Sequence, residues 1–498
     1  MSALLLLSTL YPLWLLAIFA WRAPHHYSRW WIVSAPLPAL LLAIGLPDAT
    51  IQLPFLLLGV VWELDAFTRP LLLMTALLWL IAGYFTLGYM NADGLRRFTL
   101  FWLATLVGNV SLILAKDIAS FYTGFALMTF AGYGLVIHQL SPDALRAGRI
   151  YIAMAVVGEV LILAGFMLLI PDLVDPMLYY VPLAIAEHPQ PMFISVLLFA
   201  GFGVKAGVLG LHFWLPLAHP VAPTPASAVL SGAMIKAGLI AWMQLLPLGE
   251  DLAAILEPNS IGEVMLLDAF AWLVMGLGLS ASFLAAVLGA LQLKPKAVLA
   301  YSSISQMGLM TTLLGVALLM PTLWPGVSLA LVAFIVHHGL AKGALFLGVG
   351  LVEQPGPLPR WAILMLLLIP ALSLIGVPLS SGGAAKYLLK SEAYETEIEL
   401  LSLLLTFSAA ATTLLMLRFI DLLYRQMPRV SAPSATSSIQ IAAMFSVVAS
   451  AVFVWWFPIE LDLIRTLSLT QLWETVWPMT LATGIYLSVR RWRPERPY

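Results

Sequence analysis

The 498-residue sequence contains no cysteine, and only 10% of its residues are Asp, Glu, Lys or Arg. The lack of cysteine excludes disulfides, thiolate-held iron–sulfur clusters and thiol nucleophiles, so any redox chemistry coupled to this chain belongs to a partner. A formal net charge of −1 leaves no basic field for a nucleic acid backbone. No dinucleotide loop is present either: the glycines of "GFGVKAG" are spaced GxGxxxG and no strand precedes them. Gly203 and Gly207 instead make a small-xxx-small face for close helix packing. Hydrophilic domains are missing, since the longest polar stretches, such as "QMPRVSAPSATSSIQ" at 426–440, are loop-sized. An independent enzyme is therefore the weakest reading, no cofactor is expected, and catalytic soluble domains would have to come from partners.

What the sequence does have is apolar length. Hydrophobic residues make up 61% of it, with a mean hydropathy of +0.97, which places it among polytopic all-α membrane proteins. About 20 apolar residues cross a bilayer core. Runs of that kind fall at 2–21, 30–46, 68–90, 98–115, 118–138, 149–170, 192–215, 224–247, 264–290, 296–320, 326–350, 361–389, 399–420, 439–457 and 474–490. That predicts 14 to 15 transmembrane helices. The first run lacks the basic start and small-residue cleavage site of a signal peptide, and is expected to remain as a span. Seventeen tryptophans, several beside loop charges, fit interfacial anchoring.

Lys and Arg collect in cytoplasmic loops, which gives an independent check. With the N-terminus outside, sixteen basic residues fall in inner loops: Arg22, Arg29, Arg96, Arg97, Arg146, Arg149, Lys294, Lys296, Arg360, Arg418, Arg425, Arg429, Arg490, Arg491, Arg493 and Arg496. Four fall in outer loops: Arg69, Lys116, Lys390 and Arg465. Of the 24 basic residues, this leaves Lys205, Lys236, Lys342 and Lys386 without a loop. The pattern predicts a multi-pass protein of a bacterial-type inner membrane with a cytoplasmic C-terminus.

A lysine at the centre of a span costs about 2.5–3.5 kcal/mol on insertion scales. One such residue could snorkel or pair structurally; four on spans seven, eight, eleven and twelve point to a polar pathway. A lysine taken out of water gives up its proton more readily, which suits proton exchange. "FIVHHGLAKGALF" sets His338 four residues before Lys342 on one helical face, with His337 beside it. Glu159 is the one carboxylate well inside a span, as a proton carrier or a structural counter-charge, whereas Asp268 reads as interfacial. His212 and His219, seven apart with no acid or thiol nearby, are weak metal ligands, and no metal is expected. Helical regularity breaks near two of the lysines: Gly207 and Pro216 follow Lys205, and Pro378, Gly382 and Gly383 precede Lys386. In a membrane, backbone groups freed this way are tolerated only against protein or water, and paired broken helices mark transport sites.

Four segments, "GFGVKAGVLGLHFWLPLAHPVAPTPASAVLSGAMIKAG", "LKPKAVLAYSSISQMGLM", "FIVHHGLAKGALFLGVG" and "GVPLSSGGAAKYLL", resemble the signature segments of the proton-conducting antiporter-like membrane subunits. That family includes the large membrane subunits of respiratory complex I, of membrane-bound hydrogenases and formate hydrogenlyase, and of Mrp-type sodium/proton antiporters. The resemblance covers roughly residues 60–425. It implies N-terminal helices over 1–95, inverted five-helix repeats over 96–250 and 251–425 with broken helices at spans seven and twelve, and C-terminal helices over 426–498. It also implies a proton pathway through Glu159, Lys205, Lys236, His337, His338, Lys342 and Lys386. One departure stands out. Where relatives carry a glutamate on the fifth helix, this sequence reads Phe125-Ala126, leaving Glu159 to set the charge state of Lys205.

Three functions stay open on this resemblance: a proton-translocating subunit of a multisubunit complex with other membrane subunits and a soluble partner; a proton-flux subunit coupled to a carbonic-anhydrase-like partner for inorganic carbon uptake; and a non-conducting structural subunit. Sodium in place of proton is disfavoured by the single buried acid. The orientation has a direct test. A fluorescent protein fused to the C-terminus is expected to fluoresce and alkaline phosphatase at the same place to be inactive; the opposite pair of results would reverse the topology.

Overall fold

The computed structural model describes residues 2–21, 29–45, 47–91, 94–173, 175–249, 261–427, 437–456 and 468–492. Arg22, Arg429, Arg465, Arg493 and Arg496, which carry part of the charge pattern, lie outside the described residues. The chain is helical nearly throughout. In order come α1 (Ser2–Trp21), α2 (Arg29–Ser34), α3 (Leu37–Gly45), a hairpin of β1 (Ala49–Leu53) and β2 (Val60–Leu64), α4 (Thr68–Tyr89), α5 (Leu95–Leu114), α6 (Ile118–Val136) and α7 (Pro142–Leu169). Then follow α8 (Val181–Glu187), α9 (Pro191–Ala206), α10 (Trp214–Ala218), α11 (Thr224–Val229), a π-helical turn (Leu230–Met234) and α12 (Lys236–Leu245). The remainder comprises α13 (Ile261–Ala290), α14 (Pro295–Leu319), α15 (Trp324–Glu353), α16 (Arg360–Ile375), α17 (Ser381–Tyr394), α18 (Glu399–Gln426), α19 (Ser437–Trp456) and α20 (Leu469–Trp492).

Ten helical segments among the described residues are long and apolar enough to cross a bilayer, so this is a multi-pass membrane protein. Each sequence-predicted span has helix at its position, but several are not single helices. The run at 30–46 divides into α2 and α3. The run at 192–215 stops at Ala206, where Gly207 takes a left-handed φ of 77° that an L side chain resists; the chain turns and resumes as α10. The run at 361–389 stops likewise at Gly376, φ 102°, and restarts as α17, whose N-terminus is capped by Ser380 on the Gly383 N–H at 3.1 Å. Besides the short helix α8, two elements have no counterpart in the sequence reading. One is the π turn immediately before Lys236. The other is the antiparallel hairpin, held at the start of α6 by the Val61 N–H donating to Asp117 Oδ2 at 2.8 Å and by Lys116 N–H donating to Val61 O at 2.8 Å.

Burial separates core helices from lipid-facing ones. α15 packs against α4, α11, α14, α16, α17 and α19, and 94% of its most apolar stretch is buried, against 100% for the segment 224–245 and 39% for α7. Val156, Val157, Val160, Leu163 and Met167 of α7 are exposed, as apolar side chains facing lipid should be. The two most enclosed segments are those carrying Lys236 and Lys342.

Four helix crossings bring glycine onto glycine. A Cβ on Gly108 would lie 2.6 Å from the Gly124 carbonyl oxygen (α5 on α6), one on Gly201 2.9 Å from that of Gly158 (α9 on α7), one on Gly308 2.5 Å from that of Gly278 (α14 on α13), and one on Gly339 2.7 Å from that of Gly232 (α15 on the π turn). Backbones this close gain dispersion and leave no room for a methyl group. Gly308→Val is therefore expected to lower stability by about 1–3 kcal/mol or more through overpacking. Gly276→Val, at a position with nothing within 4 Å, serves as the control. Thermal midpoints in detergent check both; equal midpoints would show that the crossing tolerates bulk.

Candidate functional site

All four lysines predicted to lie inside the membrane are buried: Lys205 4% exposed, Lys236 0%, Lys342 0% and Lys386 8%. Three of them donate to backbone carbonyls. Lys236 Nζ reaches back to Ser231 O, inside the π turn that precedes it. Lys342 Nζ donates to Leu299 O at 2.9 Å, a carbonyl shared with the Ser303 hydroxyl at 3.0 Å. Lys386 Nζ donates to Ile375 O at 2.9 Å, with Thr412 Oγ1 at 3.5 Å. Ile375 is the last residue of α16, so this ammonium sits on the negative end of a half-helix whose carbonyls the break has released. A hydrogen bond involving a charged group returns about 1.5–3 kcal/mol, close to the insertion cost of the lysine. For Lys236 and Lys386 the irregular backbone thus supplies the partner that makes the charge tolerable.

Lys205 is held differently. It stands in the last turn of α9, donates to Tyr151 Oη at 3.3 Å, and lies over the rings of Tyr151 (5.6 Å) and Trp214 (5.9 Å). The Tyr151 hydroxyl in turn donates to Thr129 O at 2.7 Å. The Trp214 indole N–H donates to Val204 O at 2.8 Å, occupying a carbonyl that the end of α9 leaves free. Glu159, two turns beyond Tyr151 on α7, is 5% exposed, with the Tyr122 and Thr129 hydroxyls as its polar neighbours. Phe125, Thr129, Tyr151, Glu159, Lys205 and Trp214 line a common cavity of about 20 Å³, room for about one water. Phe125 shares this cavity with Lys205, whereas Ala126, the position where the resemblance leads one to expect an acid, is half-buried and not among the residues lining it.

The adjacent histidines diverge, as neighbours on a helix must. His337 Nδ1 pairs with Ser381 Oγ at 2.8 Å, joining α15 to the restarted helix α17, while its Nε2 has no partner. Ser381 also meets Ser373 Oγ at 3.0 Å and donates to Ser450 O at 3.0 Å, so the hydroxyls close the break between α16 and α17. His338 is fully buried with both ring nitrogens unpartnered, and the charges acting on it are Lys236 and Lys342. Lys236 and Lys342 both lie within electrostatic reach of His338, and Lys236 and Lys386 within reach of His337.

Three further sites escape a reading of the sequence. His219, considered above only as a metal ligand, is 0% exposed, stacks on Phe346 at 4.5 Å between ring centroids, and has neither nitrogen bonded. Lys342, Lys296 and Lys236 are the charges that act on it. His212 lies apart from them, stacked on Phe213, with its Nδ1 accepting from Gly210 N–H at 3.3 Å. Lys296, assigned to an inner loop by its charge, is instead buried in the first turn of α14. It pairs with Glu353 Oε1 at 2.8 Å, and the other carboxylate oxygen accepts from Tyr89 Oη at 2.7 Å and from Thr224 Oγ1. Lys390, assigned to an outer loop, is buried as well. It pairs with Glu474 Oε2 at 3.0 Å, and Tyr394 Oη donates to Glu474 Oε1 at 2.9 Å. In both cases adjoining polar residues mimic a loop, while the partner lies far away in sequence.

Comparison with known proteins places this geometry. The family described as "NADH:quinone oxidoreductase/Mrp antiporter, TM" matches residues 115–412, more than half of the chain. Hydrogenase-4 component B of Escherichia coli (strain K12) is 28% identical over 309 residues, covering 60% of this chain and 44% of that protein. A Na(+)/H(+) antiporter subunit of Bacillus subtilis (strain 168) is 27% identical over 345 residues, covering 66% of each. The chain thus spans less than half the length of some curated relatives it matches. In fold it is similar to a chain of the Mrp complex from Dietzia sp. DQ12-45-1b, with a TM-score of 0.78 at 20% identity over 97% of this chain and 56% of that one. It is also similar to a chain of the membrane-bound sulfane sulfur reductase, an archaeal respiratory membrane complex, with a TM-score of 0.75 at 17% identity over 98% and 99%. Four buried lysines, broken helices beside two of them and a matched region containing all four lead to one conclusion: the chain belongs to the NADH:quinone oxidoreductase/Mrp antiporter family of membrane subunits.

Proposed function

We propose that this chain is a proton-translocating subunit of a multisubunit membrane complex, passing protons along Lys205, Lys236, His338, Lys342 and Lys386. Glu159 serves as the acid that tunes Lys205, and His337 as the link to Lys386. The observation that carries this reading is the central row. Lys236, His338 and Lys342 are wholly enclosed, lie within electrostatic reach of one another, and have no carboxylate among their hydrogen-bond partners. Groups of this kind are poor structural glue, because a buried charge without a counter-charge is costly. They suit proton exchange, because Lys and His pass protons by changing between charged and neutral forms. A partner subunit, soluble or membrane-bound, supplies or uses the driving force. The inner face is the one bearing Lys294, Arg360, Arg418 and Arg490.

A structural role without conduction is the second reading, favoured by Phe125-Ala126. Both readings meet in one experiment on the purified complex in vesicles with an enclosed pH-sensitive dye. Lys342→Ala and Lys386→Ala are each expected to slow proton movement at least about tenfold with the subunit still assembled, and Glu159→Gln to slow it too. Undiminished movement in the two alanine variants would sink translocation along this row. Conduction that emerges only in Ala126→Glu would favour the structural role.

A further inference from the structure

The row of lysines needs a way out to the face where α17 ends, and the structure offers a set of residues for it. Lys386, Lys390 and Tyr394 occupy positions i, i+4 and i+8 of α17, one above another on the same helical face. Exposure along them is 8%, 9% and 43%, so the series runs from the interior to the surface. Lys390 is the charged neighbour that acts on Lys386. Opposite stands Glu474 from α20, its carboxylate bound by both Lys390 and Tyr394. The side chains of this ion pair are 11% and 19% exposed.

The chain path fixes which face this is. α16 starts at Arg360, seven residues after Glu353, and α16 with α17 then crosses the bundle, so Tyr394 lies on the face opposite Lys296–Glu353. α20 agrees: near its other end Arg490 reaches Asp421 at 3.2 Å, close to the C-terminus of α18. A nearly buried ion pair adds little stability over an apolar pair of the same size. Apolar contact already ties α20 to α18, with Phe407 edge-on to Trp477 at 5.1 Å. Anchoring the helix does not require Glu474 to be an acid.

We propose that Lys390, Glu474 and Tyr394 form the proton port of the row on this face, with Glu474 exchanging protons between Lys390 and the aqueous phase. This rests on the translocation reading above. In that step the Lys390 ammonium passes its proton to the paired Glu474 carboxylate, which releases it to water and is restored, and the neutral Lys390 so formed takes up the proton of the Lys386 ammonium; no oxidant or cofactor takes part.

The test uses the intact complex in vesicles, driven by its own reaction or by an imposed membrane potential, with Lys386→Ala measured alongside. Glu474→Gln, which keeps shape and removes the exchangeable charge, is expected to slow proton movement about tenfold, while Glu474→Asp retains most of it. Phe407→Ala, which loosens the same helix contact without touching the pair, is expected to stay within about twofold of the unmodified complex. If Glu474→Gln moves protons at the unmodified rate while Lys386→Ala stops them, the port is wrong and the row stands. Equal slowing in Phe407→Ala and Glu474→Gln, or full activity in Lys390→Gln, would likewise overturn the port and leave only an anchor. Undiminished movement in Lys386→Ala would remove the row itself, and the port with it.

Discussion

The structure turns on how a lysine side chain is accommodated inside the membrane by main-chain dipoles. Lys236, Lys342 and Lys386 each find a main-chain carbonyl. A regular helix spends its carbonyls on its own N–H groups, so carbonyl partners are most available where regularity fails. The π turn before Lys236 and the stop at Gly376 before Lys386 are such places. Lys342 uses a third solution, sharing a carbonyl of α14 with a serine. At Lys236 and Lys386 the irregular backbone and the charged side chain are one device seen from two sides, each supplying the partner the other lacks.

Lys205 shows the alternative, aromatic faces and a tyrosine hydroxyl, with a carboxylate in the same cavity that is not bonded to it. That difference divides the row. Its central and α17 members rest on fixed dipoles, while Lys205 stands beside a group that can itself change charge. On the proposed reading, the departure at Phe125-Ala126 leaves that variable charge to Glu159.

The sequence conveyed much of this, and its failures have clear physical origins. Intramembrane lysines were legible because the positive-inside pattern leaves them over, and the breaks beside Lys205 and Lys386 because Gly207, Pro378, Gly382 and Gly383 mark them locally, although the stop itself falls at Gly376. The π turn was not: "LSGAM" contains nothing that distinguishes a five-residue turn from an ordinary one, and its neighbours there, Gly339 against Gly232 and Lys236 folding back on Ser231, are tertiary. The hairpin at 49–64 was hidden because its strands are short and its stabilising partner, Asp117, lies in another part of the chain. Lys296 and Lys390 were misplaced for a related reason. Charge near the end of a span reads as loop, and only tertiary structure brings Glu353 and Glu474 alongside.

The glycine crossings set a limit on tempo. Helices locked backbone to backbone at α5–α6, α7–α9, α13–α14 and α15 cannot slide without opening contacts that leave no slack. Rigid-body rearrangements of that kind take microseconds to milliseconds, whereas side-chain reorientation takes picoseconds to nanoseconds where there is space. If protons pass along the row as proposed, a frame this tight leaves the movement to the four-carbon stems of the lysines and the rings of His219 and His338, and sets the pace by the hop of a side chain rather than the swing of a helix.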